Sequence, residues 1–373
     1  MLLSLLICFA SWRAYPAMKP FLLQGMKQLV ISSVFAAQPK DSLSLWKEQL
    51  LPTMEIPPEE EPVLPVEKPL LPEEKAPEAE EIVPVDSQQS PETLPSIPVE
   101  YQAPIVEEQM SGQAKTGFPS YGAGLIKNST ALSDEEVVSI AEQKHKLALT
   151  SEGPQVLIYH THATESYEPY DSDVYDTRNT WRSTDEAENM IAVGKVIAEA
   201  IEAHGIQVIH DYTLHDYPSY NGSYERSAVT IEHYLEQYPS ICVALDVHRD
   251  AIQREDTLVK PVSVINGVKT AQLMMIAGYD DGSLNIPYWK DNLRFGARLQ
   301  DAMERRYPGL CRPLFFTGRK YNQHLSNASL LLEVGSHGNT LEEALACGQM
   351  AGDAIGAYLA SLLNSAEAAA PPS

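Results

Sequence analysis

Thirteen of the chain's 27 prolines fall between Pro52 and Pro104, and that stretch decides where the rest of the chain can fold. From Glu55 to Glu108 the same region holds 15 acidic residues against Lys68 and Lys75, a net of −13 within a chain total of −24. A segment that lacks backbone donors and repels itself cannot assemble a core. It is an extended, semi-stiff spacer. The acidity therefore describes a tether rather than a binding face, and it argues against nucleic acid as a partner. We expect a disordered linker over 41–112 and a folded domain over 113–365. Over 1–40 we expect an apolar N-terminal anchor or signal-like segment. Residues 1–10 (MLLSLLICFA) are apolar, but a helix needs about 20 residues to cross a bilayer. A second apolar stretch, 21–37, is interrupted by Gln24, Lys27 and Gln28. Together they read as a signal-peptide core, a clipped membrane anchor or an amphipathic segment. A spacer after such a start suits a head held away from a membrane.

Beyond the linker the composition is ordinary, with room for one large core. Ser133 and Glu136 form a capping box that opens a helix toward Leu149. A strand is predicted at 155–159, a helix at 184–204, a strand at 206–209, a helix at 223–238 and a strand at 241–247. Two strands at 258–265 and 271–277 flank Asn266-Gly267, a hairpin signal. A helix at 289–306, a strand at 330–333 and a helix at 341–362 complete the pattern. Strands and helices alternate, so the expected fold is α/β: a mostly parallel, doubly wound sheet with one inserted hairpin.

The chemistry gathers at strand ends. His160, His162 and Glu165 follow the strand at 155–159, His248 follows the apolar run at 241–247, and Glu333 follows three leucines. In such a sheet these ends share one edge, so segments remote in sequence converge. Imidazole nitrogen and carboxylate oxygen both suit Zn²⁺, and a catalytic zinc takes three protein ligands and leaves one position for water. His162, Glu165 and His248 are the candidate ligands, with His160 an alternative. Glu333 is the candidate general base. Asp246 and Asp250 could orient His248. Arg249 has two readings, a clamp for a substrate carboxylate or a partner for a nearby acid.

The strings YHTHATESY, HDYPSYNGSYERS, ALDVHRDA and LLLEVGSHGNT, spread over about 155–359, resemble the stage II sporulation protein P family. Those proteins are cell-wall hydrolases of endospore-forming bacteria. More loosely, the head resembles the zinc-dependent N-acetylmuramoyl-L-alanine amidases. The resemblance implies a zinc enzyme that cleaves the amide between N-acetylmuramic acid and L-alanine of peptidoglycan, and in addition peptide cross-links. It also implies a membrane-anchored, extracytoplasmic head that works in engulfment with sporulation protein D and a membrane sporulation complex. Two departures stand out. Thr161-His162-Ala163 replaces the Gly-His-Gly loop usual in the amidases. Those enzymes also take a glutamate ligand from the start of the following helix, where this chain offers Asp185, Glu186 and Glu188. The pair His162-x-x-Glu165 instead resembles the ligands of zinc carboxypeptidases, so Glu165 and Glu186 both stay open.

The remaining polar groups have plainer readings. Cys8, Cys242, Cys311 and Cys347 show no paired spacing, so a cysteine metal site is not indicated. His204, His210, His215 and His233 are expected at solvated helix ends or loops. His337 lies near enough to Glu333 to face the cleft. Tyr217, Tyr220, Asn221 and Tyr224 could line a glycan groove or serve as packing. Two other functions fit the same residues, a non-catalytic peptidoglycan-binding scaffold and a zinc carboxypeptidase acting on stem peptides.

Overall fold

The computed structural model describes residues 97–145 and 147–369. The expected anchor and most of the expected linker lie outside the described residues. After a 3₁₀ turn at Val99–Tyr101 come β1 (Gln102–Glu108), β2 (Ser120–Tyr121), β3 (Gly124–Ser129), α1 (Asp134–Glu142), β4 (Val156–Tyr159) and β5 (Val174–Asp176). Next are α2 (Met190–Glu202), β6 (Val208–His210), α3 (Ser223–Gln237), β7 (Val243–Asp250), β8 (Gln253–Arg254), β9 (Thr257–Ile265) and β10 (Val268–Ala271). The chain ends with β11 (Leu273–Gly278), α4 (Trp289–Arg306), β12 (Leu314–Thr317), β13 (Ser329–Ser336) and α5 (Leu341–Ala369). No helix among the described residues is long and apolar enough to cross a membrane.

The large sheet has eight strands in the order β2-β3-β12-β11-β13-β7-β4-β6. Neighbours are parallel except at β2/β3 and β11/β13, so the sheet is mostly parallel, as expected. Helices cover both faces. On one, Val193, Ile197 and Ile201 of α2, Leu293 and Leu299 of α4, and Ala351 and Ile355 of α5 join Val156, Ile158, Leu245 and Leu332 in the main core. On the other, Ile231 of α3 packs on Leu157, Tyr159 and Ala244. The alternation of strand side chains between faces sorts these two sets.

Four expectations change. The linker does not run to 112: Ala103 and Ile105 are buried while Gln102, Pro104 and Val106 are exposed, and this alternation makes β1 a strand. It lies inside a second sheet, β10-β9-β1-β5, with β8 beside β9. The helix expected from 184 starts at Met190, where the Asn189 side chain accepts the Ile191 N–H at 2.9 Å. The Asn266-Gly267 turn forms, with φ of 53° and 80°, but it joins β9 to the short β10. The chain then crosses into the large sheet as β11, antiparallel to β13. The α1 capping box closes as expected, and the helix stops at Glu142, short of Leu149.

One ionic node ties the small sheet to α5. The buried Lys260 ammonium meets Asp171 at 2.5 Å, Glu343 at 3.1 Å and Glu107 at 3.2 Å. Lys269 meets Glu107, Asp171 at 3.0 Å and Glu343 at 3.3 Å. The three carboxylates have oxygens within 4.8 Å of one another, as a cation site would need. Two ammonium groups already occupy the cluster and offset two of its three charges. Burial pushes the Glu107 carboxyl up, but Lys269 and Lys260 outweigh it and hold it below its ordinary value. Lys260 does the same for Asp171. A depressed carboxyl stabilises the fold above its unfolded-state pKa, near 4, and that contribution is lost as pH falls through the folded value. The melting-temperature gap between wild type and Glu107→Gln should therefore be widest near neutrality and close toward pH 3. A gap constant across that range would count against the node.

Candidate metal centre

β4, β7 and β13 are adjacent and run parallel, so their C-terminal ends open on one edge of the sheet. His248 and Glu333 stand side by side in register on β7 and β13. His162 and Glu165 arrive from the turn after β4, which Asp246 pins by accepting Thr161 N at 2.8 Å and Thr161 Oγ1 at 2.7 Å. Immediately after Glu333 the β13–β7 register breaks. Gly335 there has φ +66°, and a Cβ would lie 2.7 Å from Asn339 Oδ1. Bulges of this kind re-aim side chains at the rim of a site.

The histidine and carboxylate groups face one another. His248 Nδ1 lies 3.5 Å from Glu165 Oε2, and its Nε2 lies 2.8 Å from Asp246 Oδ1, though out of line for a hydrogen bond. The His162 ring stands edge-on to that of His248, with centroids 5.2 Å apart. His162 Nδ1 is 3.4 Å from Ser223 Oγ, and Tyr220 stacks on the imidazole at 4.5 Å. Burial pushes the His162 imidazole down to about 4, helped by His248. Burial disfavours the His248 cation, but Asp246 and Glu165 outweigh it and raise its pKa well above the ordinary value. Burial likewise opposes a charged Glu165, yet Arg249, His248 and His162 hold it at about 2.

Glu333 has the opposite environment. Its Oε2 is enclosed and has no hydrogen-bond partner. Burial, then the neighbouring Asp250 charge, push its carboxyl up to about 8. Asp250 is in turn held by Arg312 at 2.8 Å.

A test of fit for zinc is geometric. Two ligand atoms at about 2.0–2.1 Å from a tetrahedral ion lie roughly 3.3–3.5 Å apart, and two imidazole rings on it have centroids about 5 Å apart. The Glu165–His248 and His162–His248 separations match both values. His248 also has the carboxylate behind its second nitrogen that metal-bound histidines usually have. Glu165 and His248 thus fit the ion, whereas His162 matches only in ring position: among the described residues, the ligand atoms of the three do not all lie within 4.8 Å of one another.

The other sequence candidates lie elsewhere. His160 turns to the opposite face: its Nδ1 donates to Val247 O at 2.9 Å, and its Nε2 accepts from His210 Nε2 at 2.8 Å. Glu186, Asp185 and Glu188 are exposed in the turn before α2. The Arg249 guanidinium is buried, donating to Ser166 O at 2.8 Å and Trp181 O at 3.1 Å and lying 3.7 Å from Glu165. Of its two readings, these are the contacts of an ion pair. The cation facing solvent is Arg182, one-third exposed, which meets Asp216 at 2.7 Å and Glu165 at 3.6 Å. His337 is buried against Trp181, with ring centroids 4.8 Å apart.

Sequence reasoning missed several supports. His215, expected to be solvated, is buried and donates from Nδ1 to His160 O at 2.8 Å. Asp216 is buried and accepts Thr164 N at 3.1 Å, Thr164 Oγ1 at 2.7 Å and Arg182, fastening the loop that carries Glu165. No local pattern announces it, since its partners lie far back in the chain. His233 is exposed, as expected, and His204 pairs with Asp353 at 2.9 Å. Tyr217 and Tyr220 are more than half exposed on the rim, while Tyr224 is turned inward against His162.

Comparison with known proteins follows the same lines. The stage II sporulation protein P profile matches residues 45–356. Stage II sporulation protein P of Bacillus subtilis (strain 168) is 30% identical over 217 residues, covering 55% of this chain and 51% of that protein. The chain thus spans about half the length of the curated relative it matches. The CwlD amidase of Clostridioides difficile, solved in complex with the GerS lipoprotein, overlays with a TM-score of 0.35 at 11% identity, over 57% of this chain and 99% of that one. The N-acetylmuramoyl-L-alanine amidase AmiC2 of Nostoc punctiforme gives 0.31 at 13% identity, over 58% and 99%. Both overlays are loose. With the profile matched over most of its length, the chain belongs to the stage II sporulation protein P family.

Proposed function

We propose that this chain is a zinc-dependent peptidoglycan hydrolase of sporulation, cleaving the amide between N-acetylmuramic acid and L-alanine and, as a second activity, peptide cross-links. The observation that supports this reading best is His248, poised between the Glu165 and Asp246 carboxylates with Glu333 beside it in register. His162, Glu165 and His248 would hold the zinc. When bound, the ion supplies a Lewis acid that polarises the scissile carbonyl and activates water.

The chain's own groups do the rest. Glu333, unpartnered at Oε2, takes the proton of the attacking water in its ionised form and returns it to the departing amide nitrogen. Asp246 keeps the His248 ring turned, and Arg249 braces Glu165 from behind. Arg182 offers a solvent-facing cation to a stem-peptide carboxylate. Tyr217 and Tyr220 give the rim exposed aromatic faces. The head is proposed to act outside the cytoplasm on a membrane tether, with sporulation protein D and a membrane sporulation complex as partners.

Chelation followed by zinc titration on purified sacculi tests the reading. Activity should vanish and return with zinc; full activity in the metal-free protein would remove the mechanism. Mass spectrometry of products from a defined muropeptide then names the bond. Whole stem peptides mark an amidase, single amino acids a carboxypeptidase, opened cross-links an endopeptidase, and no release a scaffold.

Metal content decides the ligands. His162→Ala, His248→Ala and Glu165→Ala should each lower bound zinc well below stoichiometric, because one of three protein ligands is gone. Glu186→Ala should leave it unchanged. The converse result would transfer the ligand role to Glu186.

A further inference from the structure

β1 occupies the middle of the small sheet. On one side it pairs in parallel with β9, from Ile105↔Leu258 to Glu108↔Pro261. On the other it pairs antiparallel with β5, through Gln102↔Asp176, Ala103↔Tyr175 and Pro104↔Val174. β5 belongs to the excursion between Glu165 and Arg182, two residues that meet in an isolated bridge at its base. That excursion has little regular structure of its own, so its shape depends on what it packs against.

Three independent contacts run from β1 into it. Ala103 and Ile105 bury themselves with Tyr175 and Leu258 in a cluster separate from the main core, with Trp181 packed against it. Backbone bonds extend the pairing beyond the strand: Ile105 N donates to Asp173 O at 2.8 Å, and Thr177 N to Tyr101 O at 2.9 Å. Glu107 and Asp171 share the Lys260 and Lys269 ammonium groups. From Trp181 the path reaches the site directly. Its carbonyl accepts Arg249 at 3.1 Å and Ser166 N at 3.0 Å, and its indole donates to Glu168 at 2.5 Å. Arg249 N in turn donates to Glu165 Oε2 at 3.3 Å.

We infer that β1 is a clasp for the metal centre. Ile105 and Glu107 act as positioning residues that hold Glu165 and Arg182 in place through Tyr175, Asp171 and Trp181. Competence of the site is thereby coupled to the docking of residues 102–108, the strand at the end of the proline-rich stretch. The zinc readout below rests on the function proposed above; the exchange readout does not.

The test uses the full chain carrying Ile105→Asp, which places a charge against the buried Leu258 and Tyr175 while leaving the main core intact. Hydrogen exchange is followed in peptides covering 102–108, 165–182, 243–250 and 329–336, and zinc affinity is measured by competition with a chromophoric chelator. Exchange over 102–108 and 165–182 should accelerate together, by about tenfold or more, with 243–250 and 329–336 unchanged. Zinc should bind roughly 10–100-fold more weakly, the range seen when support behind a metal ligand is lost. Ile105→Val should restore both. Fast exchange over 102–108 with wild-type protection over 165–182 and unchanged zinc affinity would overturn the clasp. Should Ile105→Asp disturb 243–250 as well, the milder Ile105→Ala with Glu107→Gln is read by the same ratio of exchange rates. A wild-type chain that binds no zinc would defeat the metal reading alone, and the exchange comparison would still decide the clasp.

Discussion

Glu333→Gln is expected to keep its zinc and lose most of its turnover. The substitution preserves shape and leaves the neighbouring His248 untouched, because Glu333 contributes through an oxygen that has no protein partner. What disappears is the proton acceptor, and general acid–base help of this kind is worth about 10²–10⁴ in rate. The loss should fall on kcat, with sacculus binding near wild type, since the group acts only as bonds rearrange. Zinc content, measured on the same preparation, should stay stoichiometric. If Glu333→Gln loses its metal while His162→Ala keeps it, the assigned roles are reversed.

Gly352→Val is expected to be the most damaging change far from the site. Gly348, Gly352 and Gly356 recur every fourth residue on α5 and face α2. A Cβ at 352 would lie 2.6 Å from Ile197 O and 2.7 Å from Ala200 Cβ, so the two helix backbones touch there. Replacing glycine by alanine inside a helix normally gains about 1 kcal/mol. Valine gains less and carries two further methyl groups into a contact that cannot yield without parting the helices. Overpacking of this sort costs about 1–3 kcal/mol and occasionally more, so the clash wins. For a domain of this size each kcal/mol moves the melting temperature by roughly 2–4 °C, which gives an expected fall of about 2–12 °C. A melting temperature equal to or above wild type would show that α2 and α5 do not pack this closely.

How much of this was legible depended on whether the signal was local. The runs at 155–159, 241–247 and 330–333 are continuous apolar segments closed by polar residues, and they became β4, β7 and β13, with His162 in the turn beyond β4 and with His248 and Glu333 inside β7 and β13, which run on to Asp250 and Ser336. Continuity of that kind marks a strand buried on both faces. β1 gave the opposite impression. Its two inward residues, Ala103 and Ile105, are outnumbered by prolines and acids nearby, and only partners remote in sequence, Tyr175 and Leu258, make it a strand. The strand expected at 271–277 was one pattern shared by two sheets, because a short β10 and a long β11 adjoin with Gln272 between them. His160 and His162 look equivalent in sequence. His160 keeps the strand's direction and points toward His210 and α2, whereas the turn after β4 carries His162 away from it toward His248, and no local pattern announces that turn. Glu186 was a candidate because the amidases that the chain resembles take a glutamate ligand from the start of the following helix, but here the helix begins four residues later and Glu186 is exposed.

The order of strands in the large sheet carries a consequence for how the molecule comes into being. β13 is the last strand made, yet it lies between β11 and β7 and joins the two blocks of opposite direction. Until residues 329–336 have left the ribosome, β4, β6 and β7 on one side and β3, β11 and β12 on the other have no strand to unite them. At about 5–20 residues per second, the interval between completing β7 and completing β13 lasts seconds, during which two apolar strand edges stay bare. Such edges invite pairing with other chains. A nascent-chain series should therefore show protease resistance appearing in one late step, after Ser336 and α5 have emerged, rather than growing strand by strand.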